Sequence, residues 1–357
     1  MNSQNLPDIL PDSLPNFCDP FTNLPLDKVA KLIKNEQVSK LRFNYPIPAY
    51  AQEALKMQLA EQFNLPAYFE ITWRVVSHQI APQIQAIPGI KNIIAVGSGK
   101  GGVGKSSVAV NLALALNQLG AKVGLLDADI YGPTQPRMLG ITGRAEISEH
   151  KKIMPIEKYG IKTMSIGYLI DSDTPAIWRG PMVSSALQQL LFETIWGELD
   201  YLILDLPPGT GDTQLTMAQK FPLSGAVIVT TPQDVAVSAA EKGLNMFKKV
   251  GVPVLGVVEN MSYHVCSNCQ HQDYLFGAQG GKKMADRAQV PLLGALPYDM
   301  SIGQDLDSGN PTVIKSPNSR VSKLYQELAV KLAAQLALQP VNLRAGIPVV
   351  LTPEASI

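Results

Sequence analysis

The sequence predicts an α/β fold: a doubly wound, mainly parallel sheet preceded by a small N-terminal α+β domain. Two observations carry this. After about residue 90, short apolar runs of Val, Ile, Leu and Ala alternate with helical patterns. That order is expected when strands lie buried on both faces of a parallel sheet. Glycine also divides the 357-residue chain. It has 28 glycines and none precedes Gly89, where average usage would place about six. Two segments with different backbone demands therefore meet near residue 89, across APQIQAIPGI, which Pro82, Pro88 and Gly89 punctuate. The expected division is a small domain over 1–80, a linker over 81–92, a large domain over 93–340 and a tail over 341–357.

The first segment opens with prolines at 7, 11, 15, 20 and 25, too many for regular structure. A helix is expected near 27–36, a strand over 39–43, a helix over 49–63 and a strand over 68–76. No catalytic constellation is found there. His78 and Cys18 are isolated, and Cys18 reads as a small hydrophobe. In the second segment strands are expected over 93–96, 123–127, 202–205, 225–230, 254–259 and 292–296. A helix over 106–119 is stopped by Gly120, and a last helix over 319–338 ends before Pro340. The tail beyond is expected to pack loosely or to be disordered. Ligands of such a sheet belong at the carboxyl ends of its strands.

Composition narrows the function classes. The chain has 30 Lys+Arg against 30 Asp+Glu, which argues against broad nucleic-acid binding. It has three cysteines, too few for a disulfide scaffold. No run of 18 apolar residues is present, so no membrane span is expected. The opening MNSQNLPDILPDSLPN has no secretory pattern, and a reducing cytoplasm is the expected compartment.

The strongest motif is Gly99-Lys100-Gly101-Gly102-Val103-Gly104-Lys105-Ser106, between the apolar run IIAV and the helical pattern SSVAVNLALAL. This is the phosphate-binding loop G-x-x-x-x-G-K-[ST] in its required strand–loop–helix setting. The glycines let backbone N–H groups face phosphate oxygens, Lys105 would bridge the β- and γ-phosphates, and Ser106 would ligate Mg²⁺. With Ser107 these residues form the expected nucleotide-binding set. Lys100 has two readings: a solvated charge, or a lysine reaching into a partner's site. Asp205 ends YLILD as a candidate magnesium carboxylate. Asp127 and Asp129 end VGLLDAD, where a carboxylate can contact the Mg²⁺ shell or orient the attacking water; Asp127 is assigned to magnesium and Asp129 to catalysis. DLPPGTGD, residues 205–212, could sense the γ-phosphate through Gly209. No Asn-Lys-x-Asp guanine motif is present, so ATP is preferred, and Asn260 is either an adenine contact or a turn former.

His264-Val265-Cys266-Ser267-Asn268-Cys269-Gln270-His271 places four candidate ligands in eight residues. Three readings stay open: a strained zinc site within one chain, a dithiol redox pair, or half of a four-thiolate iron–sulfur site shared between two chains.

GKGGVGKSS, with its additional lysine, resembles the deviant Walker-A ATPases, which include septum-positioning and partition ATPases and the nitrogenase iron protein. Within that group LLDADIYGP, IWRGPM, DLPPGTGD and VVENMSYHVCSNC are similar to the Mrp/ApbC family of iron–sulfur cluster carriers. The resemblance spans about residues 85–335. It implies a P-loop ATPase, homodimeric through its nucleotide sites, that binds a [4Fe–4S] cluster and passes it to apoproteins. Lys100 falls on the signature lysine, Lys105 on the phosphate-loop lysine, and Cys266 and Cys269 on the bridging cluster ligands. Trp178 and Arg179 fall in a family motif without an assigned role. The family's N-terminal domain typically has a proline-flanked cysteine where this chain reads NYPIPAY, so no thiol role is carried over there. Rival readings are a spatial-positioning ATPase and a zinc-stabilised nucleotide-binding scaffold.

Overall fold

The computed structural model describes residues 18–19, 21–23, 25–34, 39–63, 70–170 and 180–342. Trp178, Arg179 and the tail beyond Asn342 lie outside the described residues. The N-terminal unit begins with one helical turn, α1 (Leu26–Val29), which runs directly into β1 (Ala30–Lys34). β2 (Ser39–Phe43), α2 (Ala49–Phe63) and β3 (Glu70–Trp73) complete it. β2 is central, antiparallel to β1 and parallel to β3.

The helix expected over 27–36 is therefore one turn followed by a strand. A ten-residue helix is marginal by itself. Here Leu26 and Val29 are fully buried, and pairing with β2 takes up the backbone groups of Ala30–Lys34. Cys18, expected as a buried hydrophobe, is exposed.

The larger unit contains β4 (Ile90–Ser98), α3 (Lys105–Gln118), β5 (Val123–Asp127), α4 (Gln135–Met138), β6 (Ile156–Lys158), β7 (Ile161–Ser165) and α5 (Gly180–Phe192). It continues with β8 (Leu199–Asp205), α6 (Asp212–Lys220), β9 (Gly225–Thr230), α7 (Asp234–Lys249), β10 (Val254–Val265) and β11 (Gln272–Asp273). α8 (Gly280–Ala288), β12 (Leu292–Pro297), α9 (Met300–Asp307), α10 (Thr312–Lys315) and α11 (Arg320–Ala337) close it. Seven strands form a parallel sheet in the order β12-β10-β9-β4-β8-β5-β7. β6 and β11 add antiparallel to β7 and to the end of β10. The six expected strands are all present. β6 and β7 were not anticipated, because IEK and IKTMS interrupt their apolar runs with charge.

Alternation along the strands shows why both faces are covered. Ile94, Val96, Tyr201 and Ile203 enter one core, with α3, α11 and the N-terminal unit. Ile93, Ala95, Leu202 and Leu204 enter the other, with α5 to α8. Phe43, Leu55 and Leu59 thus share a continuous core with Leu112, Leu116 and Leu332. Trp73 lies so close to Gly120 that a Cβ there would come within 3.2 Å of the ring.

A polar joint links the two units at the start of β4. Asn92 donates to the carbonyls of Val76 (2.8 Å) and Asp200 (3.3 Å), and its Oδ1 meets the backbone N–H and Nδ1 of His78 at 3.1 and 2.9 Å. Backbone N–H groups of Gln79 and Asn342 donate to Pro340 and Ser77, bringing the end of the described chain to the same place. Replacing Asn92 with Ala would strand several buried polar groups and lower stability by about 2–3 kcal/mol, read from urea unfolding. Burial depresses the His78 pKa, so the unfolded chain takes up this proton first as pH falls. Stability contributed by His78 is therefore full above about pH 6.5 and declines below it. Unfolding of a His78→Gln variant should show a shallower pH slope below that value.

Candidate nucleotide site and cysteine turn

The phosphate loop leaves the end of β4 and enters α3 at Lys105. Two glycines are required by geometry. Gly99 packs against α7, where a Cβ would fall 2.0 Å from the Ala239 carbonyl carbon. Gly104 has φ +78°, and a Cβ there would meet Asn260 Nδ2 at 2.2 Å. Ser98 Oγ donates to the Lys100 carbonyl at 3.0 Å, and Gly209 N–H donates to the Ser98 carbonyl at 3.2 Å. The loop after β8 is thereby fastened to the phosphate loop. Lys100 is half-buried, with Gly101 and Gly102 exposed beside it.

Lys105 is buried. Its Nζ donates to Ser106 Oγ at 3.1 Å and makes a short ion pair with Asp205 Oδ1. Asp205 Oδ2 accepts from Gln135 Nε2 at 2.8 Å, and the same Nε2 donates to the Ser106 carbonyl at 3.1 Å. These contacts gather Lys105 and Ser106 of α3, Gln135 of α4 and Asp205 of β8 from three separate elements.

Asp127 faces Asp205 across the β5–β8 ladder. Both of its oxygens are occupied. Oδ1 accepts from the Asp129 N–H at 3.1 Å; Oδ2 accepts from the Thr134 and Gln135 N–H groups, each at 3.0 Å, and from Ser165 Oγ at 3.3 Å. Asp127, expected as a magnesium ligand, also shapes the 128–135 loop through these contacts. Burial, and then repulsion from Asp205, push its carboxyl up to about 7. Asp129 is only partly buried, and burial raises its pKa as well. A site with crowded carboxylates and one shared lysine has the donor set a hard cation needs. Ser106 Oγ and Asp205 fit Mg²⁺, and the positive-φ loop fits a polyphosphate.

Asn260, weighed as an adenine contact, is 6% exposed and donates Nδ2 to the Val103 carbonyl at 2.9 Å. It braces the phosphate loop from β10. Further along that strand, Val265 leads into the cysteine turn, closed by β11. Cys266 N–H donates to the His271 carbonyl and Gln270 N–H to the Cys266 carbonyl, both at 2.9 Å. The backbone amides of Cys269 and then Asn268, followed by the Cys269 side chain, lower the pKa of the Cys266 thiol. Cys266 is half-buried and Cys269 exposed. Each flanking histidine has one ring nitrogen near an acceptor: His264 Nδ1 lies 3.1 Å from the Tyr298 carbonyl, and His271 Nε2 lies 3.3 Å from Asp273. Among the described residues no three His, Cys, Asp or Glu side chains converge on a metal position.

The model of the NUBPL iron-transfer P-loop NTPases matches residues 89–333. The chain belongs to this family. It is 55% identical over 266 residues to an iron-sulfur cluster carrier protein of Pseudomonas fragi, covering 74% of this chain and 93% of that one. It is 54% identical over 296 residues to the iron-sulfur cluster carrier protein of Escherichia coli K12, covering 81% and 80%. With the mouse iron-sulfur cluster transfer protein NUBPL it shares 48% identity over 261 residues, covering 72% and 82%. Among solved structures it is similar to a nucleotide-binding protein of Archaeoglobus fulgidus in complex with ADP, at 37% identity and TM-score 0.58, over 66% of this chain and 93% of that one. The cell division ATPase MinD of Pyrococcus furiosus, at 24% identity and TM-score 0.52 over 68% of this chain and 98% of that one, shares the fold.

The family match begins where β4 begins, and the N-terminal unit precedes it. Sequence reasoning missed Gln135. Its importance comes from what the fold places beside it, and a glutamine in DADIYGPTQP carries no local signal. The bracing role of Asn260 is testable. Asn260→Ala should weaken ATP and GTP binding by the same factor, about tenfold for a lost buried hydrogen bond. An adenine contact would instead lower the preference for ATP in competition titrations.

Proposed function

We propose that this protein is an ATP-dependent iron–sulfur cluster carrier, working as a homodimer that holds a [4Fe–4S] cluster between its two cysteine turns and delivers it to apoproteins. The observation that carries the reading is the Cys266 turn. Neighbouring backbone amides favour its thiolate, in the turn that follows the strand bracing the phosphate loop. One chain offers two thiols here, and a four-thiolate cluster calls for two chains. The names of the relatives support the same cargo.

In this reading ATP enters with Mg²⁺. Lys105 leaves Asp205 for the β- and γ-phosphates, and Ser106 and Asp205 take the metal. Asp129 orients the attacking water. Lys100 reaches the partner's γ-phosphate, where a positive charge matters most in the transition state. ATP and water become ADP and phosphate, and the change at the phosphate loop alters how the two chains meet. The cluster is cargo: it arrives from an assembly scaffold and leaves by exchange of Cys266 and Cys269 for thiolates of the recipient, in the cytoplasm. Among the described residues no helix is long and apolar enough to cross a membrane. The likeness to MinD extends to fold alone and gives a positioning ATPase no use for two thiols. A one-chain zinc scaffold would need these cysteines and histidines to converge, and among the described residues no three His, Cys, Asp or Glu side chains do.

Anaerobic reconstitution with iron and sulfide should load about four irons per dimer, and a Cys266→Ala, Cys269→Ala protein should load none. A double variant that keeps its full visible spectrum and acid-labile sulfide would defeat the assignment. Lys100→Ala should slow ATP turnover by about 10³-fold or more while leaving nucleotide affinity nearly unchanged. Equal turnover in wild type and variant would remove the trans role.

A further inference from the structure

Among the described residues, three buried side-chain polar atoms have no hydrogen-bond partner: His78 Nε2, Thr134 Oγ1 and Gln135 Oε1. Two of the three belong to consecutive residues at the nucleotide site. Gln135 is 1% exposed. Its Nε2 is used twice, toward Asp205 Oδ2 and the Ser106 carbonyl. Its amide orientation is fixed by those partners, since the opposite orientation would set Oε1 against two acceptors. Oε1 is therefore an acceptor held without a donor, next to the two residues best suited to Mg²⁺. A buried acceptor in that position has a desolvation penalty that only an incoming donor relieves.

We infer that Gln135 is a positioning residue for the magnesium–nucleotide complex: Oε1 accepts a hydrogen bond from water bound to the metal, while Nε2 holds the Asp205 carboxylate toward it. This rests on the proposed nucleotide reading of the site. Outer partners of this kind orient the direct ligands and tune affinity for the metal. The backbone supports the same role. The N–H groups of Thr134 and Gln135 are anchored on Asp127. The other end of α4 is fixed to α9, through the Arg137–Asp307 pair at 3.1 Å and the close approach of Gly140 and Gly309. Gln135 is thus presented from a segment tied at both ends.

The test compares ADP affinity with Mg²⁺ and with EDTA, by titration calorimetry on the full chain. In wild type the ratio of the two affinities measures the metal's contribution. In Gln135→Leu, which has neither donor nor acceptor, that ratio should fall about tenfold or more, with affinity in EDTA within about threefold of wild type. Gln135→Glu keeps an acceptor, loses the donor to Asp205 and adds negative charge. It should bind ADP more weakly in EDTA and show a larger ratio than wild type. Mn²⁺ bound with ADP should give an altered paramagnetic resonance spectrum in Gln135→Leu. An unchanged ratio in Gln135→Leu would overturn the inference, as would both variants losing affinity equally with and without metal. Loss of the fold in both variants would assign Gln135 to the architecture alone and overturn it too. A wild-type protein whose ADP affinity ignores Mg²⁺ would overturn the nucleotide reading itself.

Discussion

Lys105 and Asp205 form an ion pair whose side chains have given up nearly all contact with water, at 6% and 0% exposure. Neither tolerates the loss of the other, because an unpaired buried charge costs about 3–5 kcal/mol. The pair fixes the first turn of α3 against the end of β8, and so fixes the mouth of the phosphate loop. It also sets the electrostatics of its surroundings. Asp127 is the cross-strand neighbour of Asp205, and one lysine cannot neutralise two carboxylates in a dry site. Four protein donors on Asp127 and the Gln135 amide on Asp205 share the remaining burden. A phosphate group that draws Lys105 away therefore needs a cation to arrive with it. On the proposed reading, this arrangement of charges would couple nucleotide to metal.

This centre depends on parallel pairing of the sheet. β4, β5 and β8 lie side by side with the same polarity, so their carboxyl ends bring the phosphate loop, Asp127 and Asp205 to one edge. Alternating side chains along each strand fill two cores, and strands packed on both faces have little freedom to shift register. The N-terminal unit adds to one of these cores through Phe43, Leu55 and Leu59, and its polar joint at Asn92 and His78 lies at the opposite end of β4 from the nucleotide. Its position is one of support, far along the strand from the chemistry.

What could be read in the sequence was whatever is local. The phosphate loop is contiguous, its glycines answer to backbone geometry, and the strand–loop–helix context is visible in the letters themselves. The parallel strands were readable because burial on both faces leaves unbroken apolar runs. Elements whose state is decided by a distant partner were not. Ala30–Lys34 looks helical until β2 supplies a ladder, and Cys18 looks like core until the fold leaves it exposed. The contact of Asn260 with the phosphate loop was not readable either, since only the folded chain brings its Nδ2 to the Val103 carbonyl. Gln135 gave no sign, because its two hydrogen-bond partners lie 29 and 70 residues away.

β10 runs for 12 residues, about twice a typical strand. Its first half sits between β9 and β12, and its far end leaves the parallel sheet to carry the cysteine turn. Between Asn260 and the turn the strand has one irregularity, where Met261 takes φ +53° and the register against β12 shifts. The turn is therefore an outgrowth of the sheet, carried beyond a bulge. On the proposed reading, fuel and cargo within one chain are joined by this single bulged strand. The adjustable quantity is the gap between two such turns, one from each protomer. A cluster spanning that gap would serve as a gauge of how the two chains are seated, gripped when the tips meet and surrendered when they part.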